Sequence, residues 1–93
     1  MMKLRIAVVG CGNVSQGHIQ GWLKQSERAE VVALVDIVQE SAEDRREQFK
    51  LTNANVYNDW HEVVLREDVD VMNICTQGHL HADLIIAALE SVK

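Results

Sequence analysis

Proline is absent from all 93 residues. With no internal repeat and no low-complexity stretch either, nothing in the chain reads as a linker between domains. A basic cluster is also missing: nine Lys and Arg against fourteen Asp and Glu give a net charge of −5. Nucleic-acid readers concentrate cations on one face, so a phosphate-backbone binder is excluded. The longest apolar runs are about five to seven residues, far short of the ~20 needed to cross a bilayer. The start Met1-Met2-Lys3-Leu4 leads straight into a strand-like run and has no cleavable signal pattern. These absences predict a soluble, cytoplasmic protein with no membrane and no nucleic acid among its partners.

Cysteine is scarce as well. Cys11 and Cys75 form no Cys-x-x-Cys, so they are not a metal-type pair. Both are expected as reduced thiols. Each follows a strand, and the two strands are expected side by side, so oxidation could bring the sulfurs to disulfide distance. The plainer reading is two small buried hydrophobes.

Against these absences, a hydrophobic content of 47% and a charged content of 25% place the chain among globular proteins. A chain this short buries only roughly 60–65% of its unfolded surface, which leaves a thin stability margin. Residues 3–9 are a nearly unbroken apolar run, rich in β-branched residues and ending at Gly10, as in a strand buried on both faces. Residues 30–36 (EVVALVD) and 69–75 (VDVMNIC) repeat the pattern, and a shorter strand lies near 54–57.

Between these runs the period is helical. Over 13–25, Val14, Ile19, Trp22 and Leu23 fit one face. Gly17 and Gly21 weaken that helix by roughly 1 kcal/mol each relative to Ala, which implies a close approach to the sheet or a neighbouring backbone. Over 40–50, Ala42 and Phe49 supply a thin apolar face, and Glu43-Asp44-Arg45-Arg46-Glu47 reads as a solvated face of mixed sign. Asp59-Trp60-His61-Glu62 resembles a capping box, with Asp59 accepting a backbone N–H and Glu62 reaching back, followed by Val63, Val64 and Leu65. A last helix over 80–92 groups Leu84, Ile85, Ala88 and Leu89. Strands and helices alternating four times predict one α/β domain over 1–93, a doubly wound parallel sheet with right-handed crossovers.

Gly10-x-Gly12-x-x-Ser15 falls directly after a strand and opens a helix. Gly10 permits a tight turn, and Gly12 lacks the Cβ that would block a pyrophosphate. The N–H groups of Asn13 and Val14 then face the phosphates from a helix N-terminus, where the dipole favours an anion. Cys11 lies between the two glycines, and Ser15 replaces the third. Asp36 stands 21 residues after Ser15, at the carboxyl end of the second strand. Its carboxylate can accept hydrogen bonds from the adenosine ribose hydroxyls and repel a 2′-phosphate. No Arg follows immediately to receive such a phosphate, so NAD is expected over NADP. A methyltransferase loop would carry an acid just before the first glycine, where Val8-Val9 stand; FAD sites commonly use Glu; a nucleotide-triphosphate loop needs Gly-Lys-Ser/Thr, which is missing.

Residues 4–22 (LRIAVVGCGNVSQGHIQGW), 31–36 and 69–93 (VDVMNICTQGHLHADLIIAALESVK) together resemble the N-terminal, NAD(P)-binding Rossmann domain of the Gfo/Idh/MocA oxidoreductases, glucose–fructose oxidoreductase and inositol dehydrogenase among them. The likeness covers essentially the whole chain. The family's fourth strand ends in Thr-Pro-Asn-x-x-His and runs into a helix ending near Ala-Leu-x-x-Gly-Lys; Thr76, His81, Ala88, Leu89 and Lys93 match. Gln77 stands where the family has Pro, and Gly78 where it often has Asn, so the loop gains freedom where Pro would remove it. The resemblance implies Thr76 and Gln77 as cofactor contacts and His81 as a residue of the cleft without a catalytic role.

The resemblance further implies hydride transfer between nicotinamide and a sugar or polyol. In the family, a Glu-Lys-Pro strand and a second α/β domain follow and supply the catalytic groups. Neither is in this chain, so no catalytic residue is assigned and the chain alone is expected to bind NAD without turnover. The reading from a different class is a non-catalytic nucleotide-binding module or a truncated remnant. In the fold's usual order, 3-2-1-4, the strand over 69–75 becomes an exposed edge that invites self-association. His79-x-His81 lacks a Cys or acidic partner at ligand spacing, so no metal is expected. His18 and His61 read as surface or satisfied positions, and Trp22 and Trp60 as packing residues.

Overall fold

A computed structural model describes residues 3–75 of the chain. The elements run β1 (Leu4–Val9), α1 (Asn13–Lys24), β2 (Ala29–Val35), α2 (Gln39–Gln48), β3 (Asn55–Tyr57), α3 (Trp60–Val64) and β4 (Val71–Ile74). All pairings are parallel, and the sheet order is β3-β2-β1-β4, as the alternation of elements predicts. The expected helix over 80–92 lies outside the described residues.

Alternation along β1 divides the interior into two layers. Ile6 and Val8 join Cys11, Ile19 of α1, Leu34 and Ala42 of α2 in one cluster; Ala7 and Val9 join Val35 and Val63 of α3 in the other. Thus α1 and α2 cover one face of the sheet and α3 the opposite one. The strand residues from Ile6 to Val9 and from Val31 to Val35 are all buried, as the continuous apolar runs imply. The β1–β2 register shifts between Ile6 and Ala7, so that Val31 pairs with Ile6 but Ala33 with Ala7. Val32 and Ala33 consequently join the same cluster, a bulge that strict alternation would not produce.

The helices depart from the pattern read in the sequence at three points. Ser15 and Ile19 form the buried face of α1, with Trp22 half-buried beside them, whereas Val14 is 55% and Leu23 41% exposed. Five residues at 100° each put Val14 about 140° round the helix from Ile19, and Leu23 lies at the helix end. A Cβ built on Gly17 or Gly21 meets nothing within 4 Å, so no close approach among the described residues accounts for these glycines. At α3, Asp59 Oδ1 accepts the His61 N–H at 3.0 Å, but Glu62 makes no return bond and Leu65 is 81% exposed. The capping box is only half formed, and the Asp59 oxygen that caps the helix also lies 2.6 Å from the His61 ring. The His61 N–H first and the ring second hold the Asp59 carboxyl below its ordinary value. The mixed-sign face of α2 is not wholly solvated either, since Arg46 reaches the carbonyls of Ala54 and Thr52 at 3.0 and 3.1 Å.

Two arginines tie strands together. Arg5 binds Asp70 through its backbone N–H at 2.9 Å and its Nε at 3.2 Å, while the Asp70 N–H returns to the Arg5 carbonyl. These bonds set the start of β4 against β1. Arg66 pairs with Asp68 and donates to the Tyr57 hydroxyl at 3.1 Å, bracing the α3–β4 connection against β3. Trp22 and Trp60 pack against the two clusters, as expected; Trp22 Nε1 also donates to Asn73 Oδ1 at 2.8 Å, and Trp60 stacks on His61. No helix among the described residues is long and apolar enough to cross a membrane.

Candidate functional site

Chain direction reverses its sense of travel at β1: the connection through α1 leads to β2 on one side, while β4 arrives on the other. Crevices at such switch points, outside the carboxyl ends of the strands, are where open α/β sheets take ligands. The loop from Gly10 to Gly12 lies there. Gly10 has φ 93°, a conformation that L side chains rarely adopt, and its N–H donates to the Val35 carbonyl at 2.7 Å. Gly12 is the N-cap of α1 with φ −77° and ψ −164°, an extended geometry open to any residue. What Gly12 preserves is space: a Cβ built on it meets nothing within 4 Å.

Polarity at the helix start is arranged for an acceptor. The Gly12 carbonyl takes both the Ser15 N–H at 3.1 Å and the Ser15 hydroxyl at 2.6 Å. Ser15 is fully buried, so a serine at the third motif position satisfies its own hydroxyl locally. The Cys11 N–H is taken by Asp36 Oδ2 at 2.8 Å. Among the described residues the N–H groups of Gly12, Asn13 and Val14 are left without a protein partner. All three residues are exposed, at the positive end of a helix dipole with no acidic side chain in its first turn.

Cys11, by contrast, points inward. Its side chain is buried and its Sγ donates to the Val35 carbonyl at 3.4 Å. Burial, and secondarily the Asp36 charge, push the thiol up to about 12. Cys75 is a half-buried free thiol packed against the same cluster, and burial raises it too. Cys11 therefore matches the plainer reading of a small buried hydrophobe, while Cys75 packs against the core only half-buried.

Asp36 follows β2 directly and is half-buried. Its N–H donates to the Tyr57 carbonyl at 3.1 Å, and Oδ1 accepts the Val38 N–H at 2.8 Å. Gly10, Cys11, Gly12, Asn13, Val14 and Asp36 thus come together at one end of the sheet. Thr76, Gln77 and His81 lie outside the described residues; Cys75, immediately before them, donates its N–H to the Val9 carbonyl at 2.7 Å, at the same end. Sequence reasoning missed the bond from Cys11 to Asp36 and the hydroxyl clamp of Ser15. A serine beside a glycine-capped helix start was the available signal for the second; nothing in the sequence signalled the first.

A parallel sheet of order β3-β2-β1-β4 with a glycine turn at its switch point is a Rossmann-type nucleotide-binding domain. The sequence model of the Gfo/Idh/MocA oxidoreductases, described as an oxidoreductase family with an NAD-binding Rossmann fold, matches residues 4–93, and the chain belongs to that family. An inositol 2-dehydrogenase of Burkholderia ambifaria is 35% identical over 92 residues, which are 99% of this chain and 27% of that protein. Among solved structures, the myo-inositol dehydrogenase of Lactobacillus casei in complex with NAD(H) and myo-inositol aligns with a TM-score of 0.88 and 32% identity, over 96% of this chain and 26% of that one. An NAD binding oxidoreductase from Klebsiella pneumoniae aligns with a TM-score of 0.85 and 31% identity, over 98% and 26%. The chain spans 27% of the length of the curated relatives it matches.

Proposed function

We propose that the loop from Gly10 to Val14 holds the pyrophosphate of NAD and that Asp36 receives the adenosine ribose, with Thr76, Gln77 and His81 lining the cleft beyond. The observation that carries this reading is that the N–H groups of the exposed residues Gly12, Asn13 and Val14 have no partner among the described residues, with free space at the Gly12 Cβ position. The carboxylate of Asp36, with no arginine directly after it, favours NAD over NADP. Bound nicotinamide dinucleotide supplies a hydride carrier; this domain binds and orients it. The relatives that act on inositol support a cyclic polyol or sugar as the substrate of a protein containing this domain. The chain by itself is proposed to bind NAD without turnover, in a cytoplasmic setting where both thiols stay reduced.

Gly12→Val tests the site apart from the fold. Extended backbone and free space for a Cβ at Gly12 admit a side chain, so stability without ligand should fall by no more than the roughly 1 kcal/mol that losing an N-cap glycine costs. At about 100 times its Kd, NAD adds roughly 2.7 kcal/mol of stability, a rise in Tm of order 10 °C for a domain of this size. The wild type should show that rise and Gly12→Val should not. Equal stabilisation of both proteins by NAD would refute the assignment.

A further inference from the structure

We infer that Asp36 is a positioning residue for the phosphate-facing loop, in addition to the ribose contact proposed above, and that this single carboxylate couples the adenosine ribose to the adjoining pyrophosphate of the bound nucleotide. The inference rests on the cofactor reading of the site and deepens it.

The geometry is specific. Asp36 Oδ2 accepts the N–H of Cys11, the residue between the two glycines, at 2.8 Å, a contact spanning 25 positions in sequence. Its other oxygen accepts the Val38 N–H at 2.8 Å, and its own N–H is held by the Tyr57 carbonyl at 3.1 Å. The carboxylate is thus anchored to the end of β3 and to the turn before α2, and from there grips the loop. Loop residues on either side of Cys11 have no side chain to pack, and Gly10 occupies a conformation that only the surrounding bonds maintain. Two backbone N–H groups of the loop donate across to the β2 end, Gly10 to the Val35 carbonyl and Cys11 to the Asp36 carboxylate, beside the Cys11 Sγ contact to that carbonyl. The bond to Asp36 consumes the Cys11 N–H, while those of Gly12, Asn13 and Val14 have no partner among the described residues. Removing it frees the segment whose N–H groups would meet the phosphates.

Electrostatics alone predicts the opposite effect of removing Asp36. A carboxylate beside an anion site repels the anion, so neutralising it should tighten phosphate binding. The sign of the change separates the two roles. Inorganic pyrophosphate has no ribose and so does not engage Asp36 through one; its binding is followed by the amide NMR shifts of Gly12, Asn13 and Val14. Asp36→Ala should weaken pyrophosphate about tenfold and accelerate hydrogen exchange at the Cys11 amide. Asp36→Asn keeps one oxygen for the Cys11 N–H while removing the charge. It should hold pyrophosphate within twofold of wild type or more tightly, with a protected Cys11 amide. Unchanged or tighter pyrophosphate binding by Asp36→Ala, together with weaker NAD binding, would overturn the positioning role and leave the ribose contact standing. Unchanged Cys11 exchange in Asp36→Ala would overturn it as well. Failure of the wild type to bind NAD and pyrophosphate would instead overturn the cofactor reading and this inference with it.

Discussion

Cys11 occupies the variable position between two glycines, yet its side chain serves the core. Buried beneath the loop and donating to the Val35 carbonyl, its thiol is pushed up to about 12. In the unfolded chain the thiol ionises from about pH 9, while in the folded chain it stays protonated. Above pH 9 the unfolded state therefore holds fewer protons, and stability falls as pH rises from 9 towards 12, by about 1.4 kcal/mol per pH unit. Between pH 8 and 10.5, urea unfolding should show wild type losing about 2 kcal/mol more than Cys11→Ala. Equal losses would mean the thiol titrates normally. Gly10, Gly12 and Asp36 were legible in the sequence because a turn, an open approach and a strand-end acid are local requirements. The inward course of Cys11 was not, since the layer a side chain joins depends on where β2 and α1 pack.

Among the elements, α1 and the end of α2 carry local strain or slack that packing does not explain. Gly17 and Gly21 lie on the exposed surface of α1 with free space at the Cβ position. Gly17→Ala and Gly21→Ala should each raise stability by about 1 kcal/mol, read as a higher Tm. A lower Tm would reveal a neighbour that needs the space. At the end of α2, Lys50 has φ 55°, the Lys50 N–H returns to the Glu47 carbonyl at 3.2 Å, and the Leu51 N–H returns to Arg46 at 2.9 Å. This is a Schellman motif with lysine at the position that usually holds glycine. Lys50→Gly relieves the left-handed strain and should add about 0.5–1 kcal/mol in thermal unfolding. Loss of stability would show that the Lys50 side chain holds more than the motif requires. Element order was legible from alternating buried runs and helical periods. The bulge at Val32 was not, because EVVALVD is apolar on both faces and its register is set by pairing with β1.

At the scale of the whole molecule, β4 is an edge strand of the described sheet. Val71, Met72 and Ile74 are each half-buried, where the central strands bury nearly every residue. An apolar strand with one unpaired side templates further pairing. We propose that the chain self-associates through this edge. Light scattering should show a mass above that of the monomer that grows with concentration; a monodisperse monomer at high concentration would refute it. The Arg5–Asp70 bonds bring β4 to β1 in register and so decide which of its residues meet the two layers. Neither partner stood out in the sequence, because an arginine and an aspartate 65 positions apart have no local signature.

The residues alone were enough to give the class of fold, the family, and the set of glycines and acid that the fold gathers at one end of the sheet. All three rest on short-range facts: the period of apolar side chains, glycine where a backbone must turn, and an acid where a strand stops. The three-dimensional arrangement settled how those parts act on one another. It placed the Asp36 carboxylate on the Cys11 N–H, turned the Ser15 hydroxyl to the Gly12 carbonyl, and left three amides without a partner among the described residues. The Cys11–Asp36 bond depends on ångström-scale placement of segments 25 positions apart in the chain, which only the packing of β1, β2 and α1 fixes.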